Sequence, residues 1–266
     1  MSRVALILLL AVTASSAADT SSDGLRRLMR ETLANLRKGD DQLKNYTFVL
    51  NSSNKEYDGH GGAKTREVTL RREFVDGVPV NHVLVRDGQP VPEPERQKNE
   101  EAALRRVTEL KSMTPEQRAH QDEQGRKRRA EQDLWVSEFP DALDYKFAGE
   151  EKLAGRTVLV VACSPHPGYH PHSLRARLFE KLAGKVWIDP EESEIMRADV
   201  RISGDVTVVW GLAGRINQGT SFFLERTRVA PRVWLPSKQS ANYSVRLLFK
   251  NLHGEQSAEY SDYMHE

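Results

Sequence analysis

The stretch from Leu153 to the C-terminus constrains the fold most. It breaks into short β-type segments at 156–163, 184–189, 194–202, 206–212, 220–228, 232–235, 240–249 and 252–260. Turn signals at Ala154-Gly155, Gly204-Asp205 and Ala213-Gly214 separate them. Segments joined this tightly pair antiparallel, because a parallel neighbour needs a crossover of a dozen or more residues. Within 206–210, Val206, Val208 and Trp210 share one face and Thr207 and Val209 the other. A sheet of this length must hide its apolar face, either by closing on itself or by taking helices across it.

The preceding residues supply both more strand and a cover. Asp23 is placed to cap a helix running to about Lys38, with Gly39 as its stop. Leu25, Leu28, Met29, Leu33 and Leu36 fall on one face of it. Three strands are expected next, at 46–50, 65–75 and 78–85. A flexible loop at 58–62 lies between the first two, and turns form at Asp76-Gly77 and Asp87-Gly88. The expected fold is therefore α+β: a curved antiparallel β-sheet, or half-barrel, covered by helices. A cavity between the layers follows naturally, and apolar ligands bind in such places.

The texture changes at Pro90, Pro92 and Pro94. From about 92 to 134 the chain is rich in Glu, Lys, Arg and Gln. Leu104, Val107 and Leu110 form one short helical stripe, and Thr114-Pro115-Glu116 starts a second helix with Thr114 as N-cap. Arg126-Lys127-Arg128-Arg129 is the most basic run. Acidic neighbours bring the segment close to neutral and no aromatics interleave with the run, so a solvated helical pair is expected and nucleic acid is not an expected partner.

The chain reads as exported. Arg3, the apolar run Val4 to Val12, small residues to Ala18 and then Asp19 follow the order of a signal peptide, assigned to residues 1–18. That run is far shorter than the roughly 20 residues of a membrane-spanning helix, and no later stretch is apolar enough to span. Residues 19–266 are expected to form a single domain, periplasmic or secreted and not integral to a membrane. Cys163 is the one cysteine, so no internal disulfide framework exists; it sits in an apolar strand-like run as a small buried hydrophobe. The formal net charge of +1 gives no general pull toward nucleic acid or anionic membrane.

Catalytic signals are missing. There is no G-x-S-x-G, S-x-x-K, phosphate-cradling glycine loop or C-x-x-C. No catalytic residue, cofactor or resident metal is expected. His166, His170 and His172 are the candidates for Zn²⁺ or Cu²⁺ ligands, but Pro167, Gly168 and Pro171 make their segment a loop, without the fixed geometry of a helical His pair.

Four segments carry a resemblance: Leu153-Ala154-Gly155-Arg156-Thr157-Val158, Gly184-Lys185-Val186-Trp187-Ile188-Asp189, Met196-Arg197-Ala198-Asp199-Val200 and Val233-Trp234-Leu235-Pro236. Together they resemble the periplasmic outer-membrane lipoprotein-sorting family, of LolA/LolB-like fold, over about residue 150 to the end. The charged insertion is outside that pattern, and no ligand-handling residue of the family maps onto this chain. The resemblance implies a non-enzymatic periplasmic protein that holds the acyl chains of a lipid or acylated lipoprotein in an apolar cavity. Two rival functions fit the same residues. One is an envelope protein-interaction or signalling module that meets its partner through the 92–134 insertion. The other is a secreted metal-dependent hydrolase built on the His166–His172 loop. A sizeable apolar cavity favours the carrier, an exposed patch near Leu104, Val107 and Leu110 the module, and a carboxylate or further His beside the loop the hydrolase.

Overall fold

A computed structural model describes residues 19–58, 60–209, 213–247 and 250–265. Residues 1–18, where the signal peptide is expected, and Trp210, Leu212 and Phe249 lie outside them. Helix α1 (Ser22–Gln42) leads into β1 (Tyr46–Tyr57), β2 (Ala63–Val75), β3 (Val78–Arg86) and the short β4 (Gln89–Pro90). Helices α2 (Glu93–Lys111) and α3 (Pro115–Ala142) follow. Then come β5 (Leu143–Leu153), β6 (Arg156–Pro165), β7 (Leu182–Asp189), β8 (Glu194–Ile202), β9 (Val206–Val209), β10 (Ala213–Ile216), β11 (Ser221–Ala230), β12 (Val233–Leu247) and β13 (Lys250–His265).

Among the described residues thirteen strands form one antiparallel sheet in the order β4-β3-β2-β1-β13-β12-β11-β8-β7-β6-β5, with β9 and β10 as a spur on β12. The sheet stays open: β4 and β5 end it and do not pair with each other. Those two ends are joined in sequence by α2 and α3. Helix α2 packs on β3, and the end of α3 packs on α1, on β5 and on the 3-10 turn Ala176–Lys181. The insertion thus runs from one end of the sheet to the other.

The main core lies between α1 and the concave face of β5–β8. Leu25 and Met29 from the helix meet Tyr145, Leu159, Val161, Cys163, Val186, Ile188 and Ile195 from the sheet, all buried. A smaller cluster of Val158, Met196 and Trp234, with Leu153 and Trp187 beside it, covers the convex face. The segments that carry the family resemblance converge here. Arg156 is paired with the buried carboxylate of Asp189 and lies over the Trp234 ring. Asp189 Oδ1 accepts the backbone N–H of Glu191 at 2.9 Å, and Trp234 Nε1 donates to Glu192 at 2.6 Å. These residues fasten one corner of the sheet.

Several sequence-based boundaries change. The cap of α1 is Ser21, whose hydroxyl accepts the Gly24 N–H at 3.1 Å; Asp23 lies inside the helix. Gly39 does not stop α1 but is buried within it, where a Cβ would collide with the Arg226 guanidinium. Strand β5 was not expected, because Lys146, Glu150, Glu151 and Lys152 mask its pattern; as an edge strand it carries charge that discourages pairing with other chains. Ala213-Gly214 begins β10 and makes no turn. The segments expected at 232–235 and 240–249 fall on one strand, β12, over Val233–Leu247, and Pro236 does not end it. Pro236 sits beside a register shift opposite Glu225 and Arg226, a place where a missing N–H is tolerated. The insertion extends beyond 134, because α3 continues to Ala142.

Candidate functional site

Between α1 and the concave face lies an apolar cavity of about 480 Å³. Its roof is the helix stripe Met29, Leu33 and Leu36, and its floor comes from β7, β8 and β11, with Val186, Ala198 and Leu224 at the centre. Phe139 at the end of α3 and Phe179 on the 3-10 turn close one side, their rings edge to face at 5.3 Å. The floor exists because alternate residues of each strand face inward: Val186 is opposite Ala198, and Ala198 opposite Leu224. Ala198 is small, which leaves room between larger neighbours.

A buried ion pair sits beneath the end of the roof. Arg226, 4% exposed, donates from Nη1 to Glu194 Oε2 at 2.5 Å and from Nη2 to the Trp234 carbonyl at 2.6 Å. Gly39 lets α1 lie directly against this guanidinium. Burial raises the Glu194 carboxyl above its ordinary range, with Arg226 opposing the rise. Burial raises Asp40, the next residue of α1, for the same reason. The C-terminal end of the roof therefore rests on a charged anchor, while its middle rests on the cavity.

The histidine loop lies at the α3 side. His166 Nδ1 is 2.8 Å from Asp144 Oδ1, and His172 Nδ1 is 3.2 Å from Glu138 Oε2. Glu138 Oε2 also accepts the Tyr169 hydroxyl and the His172 backbone N–H. Burial works to raise the Glu138 carboxyl, but the hydrogen bonds from Tyr169 and His172 outweigh it and hold it below its ordinary value. His170 belongs to neither pair. The imidazoles dock the loop onto α3 and β5; among the described residues no three His, Cys, Asp or Glu side chains converge as a metal set. Carboxylates do stand beside the loop, one to each paired imidazole.

The other chemical candidates resolve simply. Cys163 is buried, and burial pushes its thiol up to about 11, which makes it a packing residue of low reactivity. On α2, Val107 is buried, while Leu104 of the same stripe is 49% exposed. Among the described residues no helix is long and apolar enough to cross a membrane. The cavity walls were not named from sequence. The α1 stripe was the available signal for one wall; the other depends on cross-strand pairing.

No protein-family model and no curated protein matches the chain. Solved structures do. A putative outer-membrane lipoprotein-sorting protein domain from Vibrio parahaemolyticus matches with a TM-score of 0.33 and 10% identity, over 90% of this chain and 93% of that one. A DUF1329 family protein from Desulfovibrio piger matches with a TM-score of 0.29 and 10% identity, over the same shares. A LolA superfamily protein from Nitrosomonas europaea matches with a TM-score of 0.26 and 9% identity, over 88% and 94%.

Proposed function

We propose that this protein is a non-enzymatic periplasmic carrier that holds acyl chains of a lipid or acylated lipoprotein in the cavity beneath α1. The observation that supports this is the cavity itself: about 480 Å³, walled by aliphatic and aromatic side chains, in a place where a fully packed core would be more stable. Its size falls within the roughly 300–1,000 Å³ of small-molecule sites. Each methylene moved from water into it contributes about 0.8 kcal/mol, so a chain is held firmly and released without breaking a bond. Export through the 1–18 segment places the carrier where such cargo travels.

A second role has one observation in its favour. Leu104 on α2 is exposed within a charged helical pair, which suits contact with a protein partner. Cargo loading and partner contact would then use different parts of the chain.

Native mass spectrometry of protein purified from its own envelope, followed by organic extraction, tests the carrier role. Stoichiometric acylated ligand is expected. A delipidated sample should take up a fluorescent acyl probe, and Ala198→Trp, which fills the floor, should weaken uptake about tenfold or more. A clean apo mass, with no uptake of probe by wild type, would overturn the carrier role.

A further inference from the structure

The cavity is not the end of the concave hollow. A second, more open hollow of about 340 Å³ adjoins it, and Phe222 and Ala241 line both. Strand register shows how the surface changes from one to the other. One row of directly opposed residues runs Val200, Phe222, Ala241, Gln256, Asn54. The next runs Ala198, Leu224, Gln239, Ala258, Ser52. Both rows begin apolar under α1; beyond β11 they mix the small Ala241 and Ala258 with the polar Gln239, Gln256, Asn54 and Ser52, across a width of about 14 Å from Phe222 to Asn54 at ordinary strand spacing.

The polar part has a definite chemistry. Gln239, Gln256 and Asn54 each carry groups that donate and accept hydrogen bonds. Gln239 Oε1 already accepts the Tyr260 hydroxyl at 3.2 Å, which leaves its amide N–H groups for another acceptor. Asn54 Oδ1 is buried and accepts no hydrogen bond among the described residues, an acceptor that a rotation of the amide would present to a ligand hydroxyl. The one charged side chain in the lining is the exposed Arg66, the cross-strand partner of Asn54. A phosphate or carboxylate head group is held best by several converging charged donors, and this lining offers the single guanidinium of Arg66 among neutral amides and hydroxyls. A peptide captured on a sheet uses the free backbone of an edge strand, whereas β12, β13 and β1 each have a paired strand on both sides.

We propose that this trough is a head-group subsite for an amphiphile with a neutral, hydroxyl-bearing head, as on a glycosylated acyl or alkyl chain. The chain lies under α1, the exposed Phe222 ring marks the junction, and Gln239, Gln256 and Asn54 bind the hydroxyls. This rests on the carrier role of the adjoining cavity.

The test is displacement of a fluorescent acyl probe from the delipidated full-length mature protein. The competitors are dodecyl maltoside below its micelle concentration, dodecyl phosphate, an N-dodecanoyl tripeptide amide and laurate. The glycoside should compete about tenfold better than the phosphate, the worth of one or two net hydrogen bonds. Gln256→Leu with Asn54→Leu should abolish that preference and leave laurate competition unchanged. A phosphate or peptide competitor that equals or beats the glycoside overturns the subsite, as does a variant that keeps the preference. Should the variant misfold, the wild-type ranking of head groups decides. Failure of every competitor and of the probe to bind overturns the carrier role instead.

Discussion

The two halves of the sheet face the same concavity with different surfaces. Beneath α1, the inward residues of β7, β8 and β11 are Val186, Ala198 and Leu224, and the space they bound is walled by apolar side chains. Across β12, β13 and β1 the corresponding residues are Gln239, Ala258 and Ser52; among the described residues α1 reaches β12, and no helix packs substantially on β13 or β1. Both halves have the same strand geometry and the same alternation. What differs is the cover. A helix laid across one half makes apolar side chains favourable there, while the uncovered half keeps amides and hydroxyls that water or a ligand can satisfy. One continuous sheet thus carries a covered apolar compartment and, beside it, a more open hollow with amides and hydroxyls in its lining.

The sharpest way to break this comparison is at the anchor that holds the cover down. Arg226→Met leaves Glu194 buried without its counter-ion, and about 3–5 kcal/mol of stability should be lost in urea denaturation. The pH dependence has a defined sign. Burial raises the folded-state pKa of Glu194 above 4.5, so its stabilising proton uptake is present in full below that value and is lost as pH rises through the folded pKa. Without Arg226 that folded pKa rises further. The deficit of the variant should therefore shrink when the pH falls from 7 to 5. A deficit that does not change with pH would mean that Glu194 is not the group left exposed to the loss.

A matched pair of phenylalanines tests the halves directly. Phe179→Ala, in the dry core, should cost about 3–5 kcal/mol. Phe222→Ala, at a ring 43% exposed on the boundary, should cost less than about 1 kcal/mol. Equal costs would mean that the open half is covered in solution. Gly39→Ala asks how closely the cover fits. Alanine is the better helix former by about 1 kcal/mol, yet its Cβ would strike Arg226, and a net loss of about 1–3 kcal/mol is expected. A net gain would show that α1 sits further from the sheet than described.

Much of the fold could be read from local chemistry. Strand β8 was expected at its observed bounds, Glu194–Ile202. Asp76-Gly77 and Asp87-Gly88 adopt the positive φ values of tight hairpin turns. Thr114 caps α3 in a capping box with Gln117. The misses share a cause: long-range contact overrides the local signal. Gly39 reads as a helix stop until Arg226, far away in sequence, is seen to need the space. Pro236 reads as a strand end until its bulge is seen. Charges on β5 read as loop because an edge strand needs them. The site was less legible than the fold, since no residue type announces an apolar cavity; Ala198 matters only for what it stands between. The histidine run, the most conspicuous chemical pattern, docks a loop through Glu138 and Asp144.

The smallest expected effect concerns the helical pair, the part of the chain that neither half explains. Among the described residues, α3 joins the cover at its end, through Phe139 and Ala142. Further back, Glu123 meets Lys127 at 3.6 Å and Arg126 at 2.5 Å on an exposed face. Pairs of this kind gain little Coulomb energy in water and lose side-chain entropy. Glu123→Ala should therefore change stability by less than about 0.5 kcal/mol, and the change should fade in 1 M salt, where charges are screened within roughly 3 Å. A larger, salt-resistant loss would mean that this stretch of α3 is packed against something in solution. A loss that depended on protein concentration would identify that something as a second copy of the chain. If the loss stays small, this stretch of α3 contributes no cover, and the division between the covered and the open half is set by α1 together with the last turns of α3.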